Sequence, residues 1–302
     1  MASRKKRRHF SYRMEFRIFM TVSFLVSLLP RRGMVRVGRF LGGLGCRLWR
    51  ARRWVALRNI HFAYGETKSW QEKEWIAREC FKNATASLLE LAWGIRRMNE
   101  AVFRETVDVE GLDIARSALS RKQGLIILPA HYGNWEIMAN AIGYFGINAH
   151  FVAKRLKNPY LDKAINDYRC ETGNSVIYTN GASKKMEEVL RRGEVIATLL
   201  DQKVPIREGG ILVDFFGRRA PTTPLLSELH LATGAPLVMA RCYPLHDGRC
   251  RLVLGPEIHF DPSGDYDKDV HDLTQVCMDA LEDYIRKDPQ FWLWGHKRWK
   301  LD

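Results

Sequence analysis

The chain lacks a long hydrophobic run. Its best stretch, Phe16 to Leu29, is broken by Arg17 and closed by Pro30 and then Arg31-Arg32, short of the roughly 20 apolar residues that cross a bilayer comfortably. No small-x-small cleavage signal follows it, so a secretory signal peptide does not fit. Cysteine is sparse: Cys46, Cys80, Cys170, Cys242, Cys250 and Cys277 form no C-x-x-C pair and no cluster with histidine, which argues against structural zinc and for ordinary reduced thiols. Acid is nearly missing from residues 1–60, where Glu15 faces sixteen Lys and Arg. Internal repeats and low-complexity segments are also missing.

What is present bounds the class. A chain of 302 residues with 46% hydrophobic content can bury a sizeable core. The net charge of +14 is lodged at one end, because residues 61–302 hold 32 basic and 33 acidic side chains. A nearly neutral body argues against a basic groove for nucleic acid. The basic end points instead to an anionic surface. Arg4-Lys-Lys-Arg-Arg8 followed by Phe16–Leu29 reads as a retained membrane anchor, either a short span or a helix lying in the interface. Residues 34–64 alternate apolar positions with Arg36, Arg39, Arg47, Arg50, Arg52, Arg53 and Arg58, the pattern of a basic amphipathic helix, with Trp49 and Trp54 suited to the headgroup zone. Trp70 to Arg97 reads as a second long helix, small enough for close packing at Asn83-Ala-Thr-Ala-Ser87.

From Val107 onward strand and helix signals alternate, predicting an α/β fold with a mixed, largely parallel sheet covered by helices on both faces. Strands are expected at 107–109, 125–128, 149–154, 175–178, 195–200, 211–216, 236–242 and 250–254. Leu125-Ile-Ile-Leu128 is the most telling, because His131-Tyr-Gly-Asn-Trp-Glu136 follows it. A histidine there stands at the carboxyl end of a strand, the edge where open α/β sheets bind ligands. Glu136, in the first turn of the next helix, is expected to accept a hydrogen bond from one imidazole nitrogen and leave the other free as a base. Gly133 and Asn134 let a substrate approach the backbone, and the N–H groups of that turn are candidates for an oxyanion site. Taken singly, His131 is an ordinary loop histidine and Glu136 an acid at a helix N-terminus; their joint position favours chemistry. The motif holds no serine or cysteine to suggest a covalent acyl-enzyme.

Read together, these blocks resemble the bacterial lipid A late acyltransferases, the lauroyl/myristoyl transferase family. His131-Tyr-Gly-Asn-Trp-Glu136 looks like the family's H-x-x-x-x-[DE] motif, a short pattern shared with glycerolipid acyltransferases. Leu156–Pro159, Leu200-Asp-Gln202, Phe215-Phe-Gly217 with Thr222 and Thr223, Thr233–Pro236 and the ending Trp292–Trp299 narrow the choice. The chain departs from many members at Ala153-Lys154-Arg155, where they carry Tyr-Arg-Pro, and at Leu225, Leu226 and His230, which are larger than usual.

The resemblance implies one acyltransferase domain at 33–302, helical and membrane-proximal over 33–106 and α/β over 107–302, preceded by a basic anchor helix at 1–32. It implies transfer of a fatty acyl group from an acyl carrier protein or coenzyme A thioester to a hydroxyl of a lipid A precursor, at the cytoplasmic face of the inner membrane. His131 would be the general base with Glu136 orienting it, together worth about 10²–10⁴-fold. Lys154 or Arg155 would hold a phosphate or the oxyanion, and Asp201 and Gln202 are further substrate-side candidates. No metal or redox cofactor is required. Trp292, Trp294 and Trp299, beside His296, Lys297 and Arg298, suit either a membrane or sugar contact or plain packing. Rival readings are acyl transfer to another glycolipid or phospholipid, and a non-catalytic lipid or carrier-protein binding module.

Overall fold

The structure, a computed structural model, describes residues 2–179 and 181–300, with residues 2–7 as backbone alone. Its first third is helical: α1 (Ala2–Ser27), α2 (Arg31–Leu48), α3 (Arg50–Tyr64), α4 (Trp70–Arg97) and α5 (Glu100–Thr106). Pro30 lacks the N–H that would continue α1 and adopts an extended conformation before α2. The stretch expected as one amphipathic helix is thus two, divided at Trp49. Ser69 and Glu72 form a reciprocal capping box that starts α4.

Helix α2 lies on α4 through a stripe of every fourth residue: Met34, Gly38, Gly42 and Cys46 are buried. A methyl group at Gly38 would stand 2.7 Å from the Cα of Ala86, and one at Gly42 2.5 Å from the carbonyl oxygen of Phe81. The small residues of α4 and the glycines of α2 together allow this backbone approach.

Helix α1 packs on α4, where the Ser23 hydroxyl donates to the Ala92 carbonyl at 2.7 Å. Its other neighbour begins at Asn158, whose amide donates to the Tyr12 carbonyl at 2.8 Å. Arg13, Glu15 and Arg17 interrupt its apolar residues, and among the described residues no helix is long and apolar enough to cross a membrane. The expected anchor is therefore not supported as a span. The side chains of Arg4, Lys5, Lys6 and Arg7 lie outside the described residues.

The remainder alternates: β1 (Val107–Glu110), α6 (Leu112–Ser120), β2 (Leu125–Leu128), α7 (Trp135–Tyr144), β3 (Ala149–Ala153), α8 (Pro159–Cys170), β4 (Ser175–Tyr178), α9 (Ala182–Arg191), β5 (Val195–Ala197), β6 (Ile211–Phe215), β7 (Arg218–Thr222), α10 (Leu225–Thr233), β8 (Leu237–Pro244), β9 (Cys250–Ile258) and α11 (Tyr266–Lys287). The main sheet has the order β1-β9-β8-β2-β5-β3-β4. All its pairs are parallel except β8 with β9, so the carboxyl ends of β2, β5, β3, β4 and β8 share one edge.

All four residues of β2 are buried, and successive side chains divide between two cores. Ile126 and Leu128 join the cluster that holds Met186, Leu226, Leu281, Trp292 and Trp294. Leu125 and Ile127 join the one that holds Trp93, Ile137 and Phe103.

One expected strand falls elsewhere: β6 leaves the main sheet and forms a hairpin with β7. Phe216 and Gly217 both take positive φ at its turn, which matches the twist of a two-residue hairpin. Arg218-Arg219-Ala220-Pro221 hid β7, because charge and proline signal a loop until an edge position accommodates them.

The α2–α4 contact makes a direct prediction. Gly42→Ala should lower unfolding free energy by about 1–3 kcal/mol through overpacking. Gly45→Ala, in the same helix with open space around it, should instead raise it by about 0.5–1 kcal/mol. Denaturant titration of the two variants checks this, and equal behaviour would rule out the close approach.

Candidate active site

Pro129 and Ala130 carry the chain from β2 to His131, whose side chain is 17% exposed at the carboxyl edge of the sheet. The turn that follows is locked. Gly133 has φ +60, and a methyl group there would lie 1.9 Å from the carbonyl oxygen of Cys242, so only glycine fits. Its N–H donates to the Phe291 carbonyl at 2.9 Å, that of Asn134 to the Cys242 carbonyl at 2.7 Å and that of Tyr132 to the Ala130 carbonyl at 2.7 Å. The N–H groups of Tyr132, Gly133 and Asn134 are therefore not available as oxyanion donors, because they already hold protein carbonyls. Asn134 caps α7 by accepting from the Ile137 N–H at 3.1 Å and donates its amide to Glu90 at 2.6 Å. Gly133 and Asn134 shape the loop, and the geometry gives their polar groups no substrate to hold.

The two carboxylates near the motif occupy roles that spacing alone did not assign. Asp201, four residues beyond β5, takes the imidazole: its Oδ1 lies 2.9 Å from Nδ1 of His131. Its Oδ2 accepts the His131 backbone N–H at 3.1 Å and the indole N–H of Trp292 at 2.8 Å. Glu136 does not orient His131, contrary to expectation. Both its oxygens are held by the guanidinium of Arg169 on α8, at 2.7 to 3.1 Å. A guanidinium matches a carboxylate in two places at once, and Arg169 is reached only because α8 packs beside α7.

Gln202 closes the far side of the ring, with its side-chain amide nitrogen 3.1 Å from Nε2 of His131. The Trp135 ring meets the imidazole edge to face at 5.3 Å. Lys154 and Arg155 are exposed at the end of β3, on the edge that carries His131, and Arg155 stacks over Tyr178 at 4.1 Å. Of the tryptophan-rich ending, Trp292 and Trp294 are fully buried. They are core, and the membrane or sugar reading does not apply to them. Arg298 is buried too, donating to the carbonyl of Pro221 and the hydroxyl of Thr222. Burial lowers its pKa to about 10 against the opposing charge of Asp201.

The electrostatics follow from this packing. Burial is the strongest single influence on His131 and opposes its protonation. The charge of Asp201, the hydrogen bond to it and the charge of Glu136 together outweigh burial and raise the pKa above the ordinary histidine value. Burial also works against ionised Asp201, yet His131 and the donors around it hold that pKa below the usual aspartate value. The raised histidine contributes stability below its ordinary pKa, and that share is lost as pH rises through the raised value. The depressed aspartate contributes above its ordinary pKa, and its share is lost as pH falls through the lowered value.

Arg169 and Trp292 are the residues that sequence reasoning missed as partners of the site. Trp292 stood in a singled-out motif, but nothing there pointed to Asp201. Arg169 carried no signal beyond being a cation in a helix.

The sheet sets a histidine, held by a buried carboxylate, on the edge where open α/β sheets bind ligands, and comparison with known proteins identifies the protein as an acyltransferase. Residues 1–301 match the family model described as bacterial lipid A biosynthesis acyltransferase, and the chain belongs to that family. A phosphatidylinositol mannoside acyltransferase of Mycobacterium tuberculosis (strain ATCC 25618 / H37Rv) is 28% identical over 236 residues, covering 74% of this chain and 67% of the relative. The lipid A biosynthesis lauroyltransferase and palmitoleoyltransferase of Escherichia coli (strain K12) are 24% and 22% identical, each over 92% of this chain and 89% of its own.

The pairing of His131 with Asp201 is open to titration. Asp201→Asn removes the largest influence that favours imidazolium while burial remains, so the His131 pKa should fall. Nitrogen-15 NMR of labelled histidine reads this directly. A value unmoved by the substitution would refute the electrostatic assignment.

Proposed function

We propose that the protein moves a fatty acyl chain from an acyl carrier protein or coenzyme A thioester to a hydroxyl of a lipid A precursor. The observation that carries this reading is the hydrogen bond from Nδ1 of His131 to Asp201, which fixes the tautomer and leaves Nε2 as the basic nitrogen. In this reading Nε2 takes the proton of the acceptor hydroxyl as its oxygen attacks the thioester carbonyl. The proton then passes from the imidazolium to the departing thiolate. Asp201 stabilises the imidazolium in between, and Glu136, held by Arg169, adds a second negative charge. Gln202 and the cations Lys154 and Arg155 are the candidates to meet the carbonyl oxygen or a phosphate of the acceptor.

The protein would work at the cytoplasmic face of the inner membrane, lying in the interface. Support comes from apolar side chains left exposed on the first three helices: Ile18, Leu25 and Leu28 on α1 or just after it, Phe40, Leu44 and Leu48 on α2, and Trp54 on α3. Such a face with flanking arginines is what an interfacial helix presents to lipid. A second reading, transfer to another glycolipid, is favoured by the likeness to the mannoside acyltransferase.

Mass spectrometry of lipids from the bacterium that produces the protein tests the assignment, with the gene intact, deleted, or carrying His131→Ala. Deletion and His131→Ala should remove the same single acyl chain from lipid A. An unchanged lipid A with a different acylated lipid missing would move the reaction to that glycolipid.

Purified variants test the roles separately. Asp201→Asn should lower kcat by about 10²–10⁴-fold. Glu136→Gln should lose less activity and more stability, because it leaves Arg169 without its carboxylate. The reverse order would restore the expected role of Glu136.

A further inference from the structure

A cavity of about 590 Å³ opens beside the His131 loop, lined by Gly133 and Asn134 but by none of His131, Asp201 or Gln202. Its walls are α2, α4 and the turn between β8 and β9. Four arginines of α2 line it, Arg31, Arg32, Arg36 and Arg39, together with the carboxylates Glu79, Glu90 and Asp247.

Every one of those carboxylates is already engaged. Glu90 holds Arg31 in a buried pair and accepts from Asn134. Glu79 accepts from Arg39 at 2.6 Å and from Lys82 at 2.5 Å, and Asp247 from Arg249 at 2.7 Å. Arg32 lies within electrostatic range of Asp247. Among the described residues, however, neither Arg32 nor Arg36 is at ion-pair distance from a carboxylate. Two guanidinium groups are thus left over at the wall of a cavity whose acids are neutralised. Their planar forks suit the oxygens of a phosphate better than any neutral group.

The surroundings say what kind of phosphate. The same helix leaves Val37, Phe40, Leu41 and Leu44 exposed, so a ligand with an anionic head and apolar tails meets both features of α2, while a free phosphate uses only one. The volume suits a headgroup. We propose that this cavity is a headgroup site for an anionic glycerophospholipid, with Arg32 and Arg36 holding its phosphate. The site is separate from the acceptor bound at His131. It rests on the membrane-facing reading of α2 and not on the chemistry of His131, so it can fail while acyl transfer stands.

Calorimetric titration of the full-length protein in neutral detergent tests this, with dihexanoyl phosphatidylglycerol, dihexanoyl phosphatidylcholine and inorganic phosphate as probes. One saturable site for the phosphatidylglycerol is expected, at least tenfold tighter than for either other probe. Binding should weaken at least tenfold in Arg32→Gln/Arg36→Gln. It should stay within twofold in Arg17→Gln/Arg50→Gln, which removes two exposed charges away from the cavity. Equal losses in the two variants would mean diffuse attraction to a basic surface and overturn the site. Inorganic phosphate binding as tightly as the lipid would mean a free-phosphate site, and an absence of saturable binding would mean no site at all; either overturns the proposal. The comparison of probes needs no substitution, so it decides the question even if a variant fails to fold.

Discussion

A buried carboxylate is tolerable only when its lone pairs are filled, and the way Asp201 is filled organises the edge of the sheet. Its oxygens take the imidazole and backbone N–H of His131, from the end of β2, and the indole N–H of Trp292, from near the end of the chain. Two distant segments converge on the charge of a third. The arrangement aims His131, sets its tautomer and anchors the C-terminal coil against β6 and β7. Trp292, Trp294 and Trp299 then pack with Phe215 and Phe216 as one aromatic cluster.

Around this centre the loop from His131 to Asn134 has no slack. Backbone donors of Tyr132, Gly133 and Asn134 serve protein carbonyls, the Gly133 carbonyl accepts from Ser87 on α4, and the Asn134 side chain is split between the cap of α7 and Glu90. Such saturation costs the loop its use as an oxyanion hole and supplies rigidity to the histidine it carries. It also ties the His131 edge of the sheet to α4 and, through the Glu90–Arg31 pair, to the helices that present apolar side chains outward. The His131 loop and the helices with exposed apolar side chains therefore share one set of buried polar contacts.

Much of this was legible in the residues. Continuous apolar β2, the strand and helix alternation after Val107, the glycine at the turn and the small stretch of α4 all express short-range rules of period and size. The failures share a cause. Glu136, five residues from His131, was the nearer carboxylate along the chain, yet Asp201, seventy residues on, is the nearer one in space. Strand β7 was invisible because its charges and proline are acceptable only at an edge, and edges are defined by neighbours.

The residues themselves determined that an α/β sheet would form, that His131 would stand at the carboxyl end of one of its strands, and that basic and apolar side chains would crowd the first sixty positions. These are consequences of periodicity, chain stiffness and composition, which act over a few residues. Only the tertiary structure decided which carboxylate would reach the imidazole, that Arg169 would hold Glu136, and that the terminal tryptophans would be core. Hydrogen bonds need partners within about 3 Å, and which distant groups come that close is set by the order of strands in the sheet and the packing of helices upon it.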